Sequence, residues 1–363
     1  MLGRGSPRVG AEQDGPLRFV TAGHVHDSGT DGLQRNHGGT VTRRTQSLPD
    51  EIRSDILSSV RILEVINKTA PFFEKRGIES PRLTIELLLA HLLNKKRLDL
   101  YLEFERELDE PTLERLREMV KRRAAGEPLQ YITGETEFCG LKFFVDRRVL
   151  IPRPETELLV EVVLQRLAPQ ADATERVPPV SSHQSPVTVI DVGTGSGCIA
   201  VTLAKKFSHA GGDASASIYA TDVSTDALEV ARANAKFHKV EKNIRFFESD
   251  LLEPVVNSLQ ADAIVCNPPY VADGELKKLP KEVRDFEPVQ ALVAGEDGLK
   301  VIRRLVMSAK RFLSPSGFVA LEIGAGQRTV VEELFVKNDF EAVQVVKDFQ
   351  GHERVIVAVP RSV

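Results

Sequence analysis

The chain has 363 residues, 42% of them hydrophobic and 28% charged, with a formal net charge of −4. Such a length gives room for two domains and a real core, and the composition is that of a soluble globular protein. The slight acidity leaves no whole-chain electrostatic footprint for nucleic acid, and no apolar run approaches a membrane span. Cys139, Cys198 and Cys266 are far apart and odd in number. They offer neither a CxxC pair nor a disulfide framework, which suits a reducing cytoplasm.

Residues 1–49 are rich in Gly, Arg, Ser, Thr and His and carry no sustained apolar period. The segment lacks the apolar core of a secretory signal, and Glu12, Asp14, Asp27 and Asp31 do not fit an acid-poor transit peptide. It reads as a disordered extension. Residues 50–126 are helical in pattern. Ile56, Leu57, Val60, Leu63 and Ile66 recur at helical spacing. Ser80 and Pro81 open a second helix as N-cap and first residue, with Leu83, Leu87, Leu88 and Leu92 along it. Asp109 caps a third helix through Leu113, Leu116 and Val120, which ends in the cationic turn Lys121-Arg122-Arg123. A solvated basic face is the expectation for that turn.

Gly126-Glu127-Pro128 closes the helices, and alternation between Tyr131 and Val149, around Gly134 and Gly140, predicts a β-hairpin in the linker 127–150. In Ile151-Pro152-Arg153-Pro154 two prolines force extension before a helix that starts near Glu155. Residues 169–186 read as a surface loop. Strands then alternate with helices, the pattern of a parallel sheet with crossover helices. The strands are expected at 187–191, 217–221, 244–248, 262–266, 318–323, 342–346 and 354–359. The helices are expected at 198–207, 225–238, 298–313 and 328–337.

Four chemistry-bearing segments fall at the carboxyl ends of four successive strands, where open α/β sheets bind ligands. Asp191-Val192-Gly193-Thr194-Gly195-Ser196-Gly197 is a strand, a glycine turn and a helix start. Its GxGxG spacing departs from the GxGxxG dinucleotide fingerprint and favours a nucleoside cofactor without a pyrophosphate. Asp222 is placed to accept hydrogen bonds from ribose hydroxyls; the alternative is an N-cap for the next helix, a role Ser224 could equally fill. Ser249-Asp250-Leu251 ends the third strand, where Asp250 could bind an adenine amino group and Leu251 pack on the ring. Asn267-Pro268-Pro269-Tyr270 ends the fourth. The Asn267 side-chain oxygen and the Pro268 carbonyl can each accept one hydrogen of a planar NH2 group. The prolines stiffen that backbone, and Tyr270 can cover the flat face of the bound group. Taken alone, the tetrapeptide also fits a strand-ending turn.

Together with Gly126-Glu127-Pro128-Leu129-Gln130-Tyr131-Ile132, the run 150–157, Glu287-Pro288 with Ala291-Leu292, residues 295–299 and Glu322-Ile323-Gly324, these segments resemble the PrmC/HemK-type methyltransferases. Members of that family modify the glutamine in the Gly-Gly-Gln loop of peptide chain release factors. The resemblance covers roughly 56–359. It implies an α/β fold: a Rossmann-like class I methyltransferase domain, with a mostly parallel seven-stranded sheet, at 151–363. A small helical bundle that docks the substrate (50–126) and the hairpin linker would precede it. S-adenosyl-L-methionine is the implied methyl donor, among Asp191, Gly193, Thr194, Gly195, Ser196, Gly197, Asp222, Asp250, Leu251 and Asn267. Asn267, Pro268, Pro269 and Tyr270 would meet the substrate glutamine, with no metal. Release factors are the implied protein partners, with no membrane or direct nucleic-acid partner expected. Two related readings, a ribosomal-protein glutamine methyltransferase and a DNA adenine-N6 methyltransferase, share the logic of gripping an NH2 group. The second would be expected to carry a basic target-recognition region, which is not evident here.

Overall fold

A computed structural model describes residues 61–167, 187–209, 216–253 and 259–361. The expected extension over 1–49, the expected helical positions Ile56, Leu57 and Val60, and the expected loop at 169–186 lie outside the described residues. Among the described residues no helix is long and apolar enough to cross a membrane.

The helical region comprises α1 (Ile62–Glu74), α2 (Pro81–Leu93), α3 (Arg97–Leu102), α4 (Glu110–Ala124) and the short α5 (Leu129–Thr133). Ile62, Val65, Ile66 and Phe73 form the inner stripe of α1. On α2 the buried apolar side chains are Ile85, Leu88, Leu89 and Ala90; Leu88 is buried as expected, but Leu83 is exposed, so the stripe is rotated. Ser80 sits in a left-handed conformation and makes no side-chain cap. On α4 Asp109 does cap, accepting from the Thr112 N–H at 3.0 Å, and Leu113, Leu116 and Val120 are buried as the spacing requires.

The basic end of α4 is not a solvated face. Arg122 makes two parallel 2.8 Å hydrogen bonds to the carboxylate of Glu127, itself buried. Arg123, also buried, pairs with Glu282 at 2.8 Å and donates to the Glu127 carbonyl at 3.0 Å. Glu282 belongs to a helix of the sheet-bearing part, so this turn joins the two parts of the molecule. The reason is pairing: a buried guanidinium persists only where carboxylates and carbonyls meet it.

The hairpin is shorter than the alternation suggested. Its strands are β1 (Glu135–Phe138) and β2 (Leu141–Phe144), joined through Cys139 and Gly140. Tyr131 and Ile132 are taken up instead by α5, which ends at Gly134. The hairpin anchors to the second crossover helix through Asn234. This side chain accepts from the Phe144 N–H at 2.8 Å and donates to the Phe144 and Ser196 carbonyls.

After α6 (Pro154–Leu167) come β3 (Val187–Val192), α7 (Cys198–His209), β4 (Ala216–Asp222), α8 (Thr225–Phe237), β5 (Ile244–Glu248) and β6 (Ala261–Cys266). An irregular stretch containing α9 (Lys281–Phe286) leads to α10 (Lys300–Ala309), β7 (Leu313–Glu322), α11 (Arg328–Lys337), β8 (Phe340–Lys347) and β9 (Glu353–Pro360). The seven strands lie in the order β5-β4-β3-β6-β7-β9-β8. Five are parallel neighbours, and β9 inserts antiparallel between β7 and β8. One face of the sheet packs under α6 and α7 and the other under α10 and α11. The sheet interior is continuous apolar sequence, as a strand covered on both faces requires: every residue of β6 is buried. Strand order reverses between β3 and β6, so the crevice for a ligand opens at their carboxyl ends.

Candidate active site

Two cavities open at that edge, and they share a wall. The larger, of about 340 Å³, is lined by Asn267, Pro268, Pro269, Tyr270, Arg153, Glu322 and neighbours. The smaller, of about 170 Å³, is lined by Gly193, Gly195, Asp222, Asp250, Leu251, Asn267, Pro268 and Pro269 among others. Asn267, Pro268 and Pro269 face both.

In the smaller cavity the glycine turn leaves β3 and doubles back before α7. Gly193 has φ +70°, and a Cβ built there meets nothing within 4 Å, so a side chain would occupy space the turn keeps open. Asp222 ends β4 and holds the turn: its Oδ2 accepts from the Gly195 N–H at 2.8 Å and its Oδ1 from the Ser224 N–H at 2.9 Å. The cap of α8 is Ser224, whose Oγ accepts from the Ala227 N–H at 3.1 Å. Asp222 is therefore not the helix cap. Burial raises its carboxyl above the ordinary range, against the pull of those N–H groups.

Asp191, Thr194, Ser196 and Gly197 do not line the cavity; they lie behind its wall. Asp191 is fully buried and accepts from the Thr194 hydroxyl at 2.6 Å and the Ala200 N–H at 3.2 Å, so it braces the turn against the start of α7. Desolvation pushes its carboxyl up to about 7. A Cβ at Gly197 would stand 3.1 Å from that of Ala231, so Gly197 permits close packing of α7 on α8. Asp250 lines the cavity, but Arg304 already grips both its oxygens at 3.1 and 2.8 Å. Leu251 follows in a left-handed conformation, φ +67°.

In the larger cavity the tetrapeptide is fastened from three directions. Val271 exchanges backbone hydrogen bonds with the strand-like segment 292–294. Gln327 donates to the Tyr270 carbonyl at 3.1 Å and accepts from the Gly324 N–H at 2.8 Å. At Gly298, φ +73°, a Cβ would sit 2.3 Å from the Tyr270 carbonyl oxygen, so only glycine lets the loop pass. Behind the tetrapeptide runs a buried chain. The Asn267 Nδ2 donates to Thr156 Oγ1 at 2.9 Å, and the Thr156 hydroxyl donates to Glu322 Oε2 at 2.6 Å. The Tyr270 hydroxyl approaches the other oxygen, Oε1, at 3.4 Å. Burial raises the Glu322 carboxyl to about 7 and the Tyr270 hydroxyl to about 12. Arg153 pairs with the buried Glu287 at 2.5 Å, and Glu287 also receives the Ile151 N–H, which fixes the double-proline segment along the rim.

Thr156 and Glu322 lie in segments that carry the family resemblance, yet neither is among the site residues expected from sequence. Glu322 could have been found by the rule that singled out Asp222, since it too is an acid at the carboxyl end of a sheet strand. Thr156 carries no such signal.

A doubly wound sheet with a glycine turn after the first strand of its parallel portion, an acid after the second and the acceptor tetrapeptide after the fourth defines a Rossmann-like class I methyltransferase. The chain matches the PrmC N-terminal domain over residues 64–134 and the methyltransferase small domain over residues 179–282. It is 41% identical over 296 residues to a release factor glutamine methyltransferase of Chlorobaculum tepidum, covering 81% of this chain and 95% of that relative. It is 43% identical over 284 residues to one from Koribacter versatilis, with coverages of 78% and 93%. With that of Geobacter sulfurreducens it shares 39% identity over 295 residues, covering 81% and 95%. The chain belongs to the release factor glutamine methyltransferase family.

Proposed function

We propose that this enzyme transfers a methyl group from S-adenosyl-L-methionine to the side-chain amide nitrogen of the glutamine in the Gly-Gly-Gln loop of peptide chain release factors, in the cytoplasm. The observation that carries the reading is the shared wall: Asn267, Pro268 and Pro269 face both cavities, so a group held from one side is presented to the other. The smaller cavity suits a nucleoside. Gly193 and Gly195 leave backbone room, and Asp222 and Asp250 place carboxylates at its edge. Their oxygens keep a lone pair each beyond their bonds to Gly195, Ser224 and Arg304. The donor, when bound, supplies a methyl group on a positively charged sulfonium.

The protein's own part is orientation. A primary amide is a poor nucleophile because its nitrogen lone pair is delocalised into the carbonyl. The Asn267 side-chain oxygen and the Pro268 carbonyl accept the two amide hydrogens and aim the nitrogen across the shared wall. Among the described residues no backbone N–H competes for the Pro268 carbonyl. As the N–C bond forms and the S–C bond breaks to leave a neutral thioether, both oxygens favour the positive charge that develops on the nitrogen. The nitrogen becomes acidic enough to give its surplus proton to water without a strong base. Tyr270 covers one face of the amide. The helical region, tied to the cavity wall through Arg123 and Glu282, is the docking surface for the release factor.

Asn267→Ala removes one acceptor and is expected to lower kcat by about 100- to 1000-fold, with the Kd for S-adenosylmethionine little changed. Retention of full turnover would remove Asn267 from the reaction. Substrate class is tested by incubating the enzyme with labelled S-adenosylmethionine and, separately, release factor, ribosomal protein or DNA, then mapping label by mass spectrometry. Label on a release-factor glutamine supports the reading; label on either of the others replaces it.

A further inference from the structure

Asn267 can serve only if its amide faces the right way, and an amide group reads equally well in two orientations. With oxygen toward the larger cavity it accepts a substrate hydrogen; with nitrogen there it repels one. Nothing in the tetrapeptide itself decides between them. The decision lies in the buried chain behind it.

We propose that Glu322, acting through the Thr156 hydroxyl, is the positioning group that locks the Asn267 side-chain oxygen toward the substrate amide. This rests on the assignment of Asn267 as an acceptor. An ionised carboxylate only accepts, so when Glu322 is ionised the Thr156 hydroxyl, 2.6 Å away, spends its single proton on it. Thr156 Oγ1 then has only lone pairs left for its other neighbour. Asn267, 2.9 Å from that oxygen, must turn its NH2 inward to meet them. Its oxygen is thereby left to face the cavity. Tyr270 points its hydroxyl at the second Glu322 oxygen, so the same carboxylate also draws the aromatic cover into place. Three residues distant in sequence, at 156, 267 and 322, thus form one polarised line along the wall of the larger cavity.

Measuring kcat, KM for release factor and the Kd for S-adenosylmethionine across a small variant series tests this. Thr156→Val removes the relay and keeps the volume; kcat is expected to fall about 10- to 100-fold with the cofactor Kd held. Thr156→Ser keeps the hydroxyl and restores most of the turnover. Glu322→Gln can offer its own N–H to Thr156, which frees the relay to reverse, and it too lowers kcat rather than raising KM. Circular dichroism and the unchanged cofactor Kd verify that each variant is folded. Wild-type kcat in Thr156→Val, or a Thr156→Ser protein as impaired as the valine variant, overturns the relay. The Asn267→Ala variant separates the two claims. If it loses turnover while Thr156→Val does not, the relay alone is wrong; if it keeps turnover, the acceptor assignment itself has failed.

Discussion

On one side of Asn267 the wall is backbone, and on the other it is side chains. The smaller cavity is shaped by a glycine turn, which Asp222 holds through the Gly195 and Ser224 N–H groups and Asp191 braces through the Thr194 hydroxyl and the Ala200 N–H. The larger cavity is shaped by Asn267, Thr156, Glu322 and Tyr270, which bond one another across 52 to 166 residues of sequence. A backbone cradle tolerates change in the side chains around it so long as the turn survives. A side-chain network does not, because each member fixes the polarity of the next. The two halves of one active site should therefore fail differently.

The largest effect after Asn267→Ala is expected at Gly298. Alanine there sets a methyl group 2.3 Å from the Tyr270 carbonyl oxygen, at a backbone φ of +73°. Displacement of the acceptor loop should cost about 100-fold in kcat, while the cofactor Kd changes far less. Equal losses in both quantities would show that the two cavities move as a unit and dissolve the contrast.

A smaller effect is expected from pH. Burial raises the Glu322 carboxyl to about 7, with Thr156 and Glu155 facing it from α6, Tyr270 from the acceptor loop and Arg354 from β9. Only the ionised form is purely an acceptor. Turnover should therefore rise with pH through about 7, by about tenfold between plateaus, and Glu322→Gln should lack the step. The stability signature has the opposite sign. A carboxyl whose pKa is raised on folding stabilises below its ordinary range, and that contribution is lost as pH rises through about 7. Denaturant melts of Glu322→Gln should lose the Glu322 share of this slope and keep the shares due to Asp191, Asp222 and Glu287, which burial raises in the same way. A wild-type pH profile shared by the variant would detach Glu322 from turnover.

The smallest effect is expected farthest from the chemistry. Arg123→Ala removes the pair with Glu282 and the bond to the Glu127 carbonyl. It should cost about 1–3 kcal/mol in unfolding free energy and raise KM for the release factor a few-fold, with kcat unchanged. A fall in kcat instead would place the helical region inside the catalytic step.

How much of this was legible beforehand follows the same division. Strand-ending segments such as Asp222 and Asn267 announce themselves, because residue types at the ends of apolar runs are local information. The order of secondary elements was readable for the same reason. The α2 stripe was not: Leu83 fits a helical period as well as Ile85, and only the neighbouring helices choose which face is inward. Nor was the fate of Arg123, whose partner Glu282 lies far along the chain.

Sequence alone determined the alternation of strand and helix, the glycine turn and the acceptor tetrapeptide, since each is written within a few consecutive residues. The antiparallel insertion of β9 between β7 and β8, the burial of Asp191 beneath the turn and the alignment of Glu322, Thr156 and Asn267 were decided by tertiary structure. The reason is that a hydrogen bond's direction depends on what stands behind each partner, and folding alone brings those partners together.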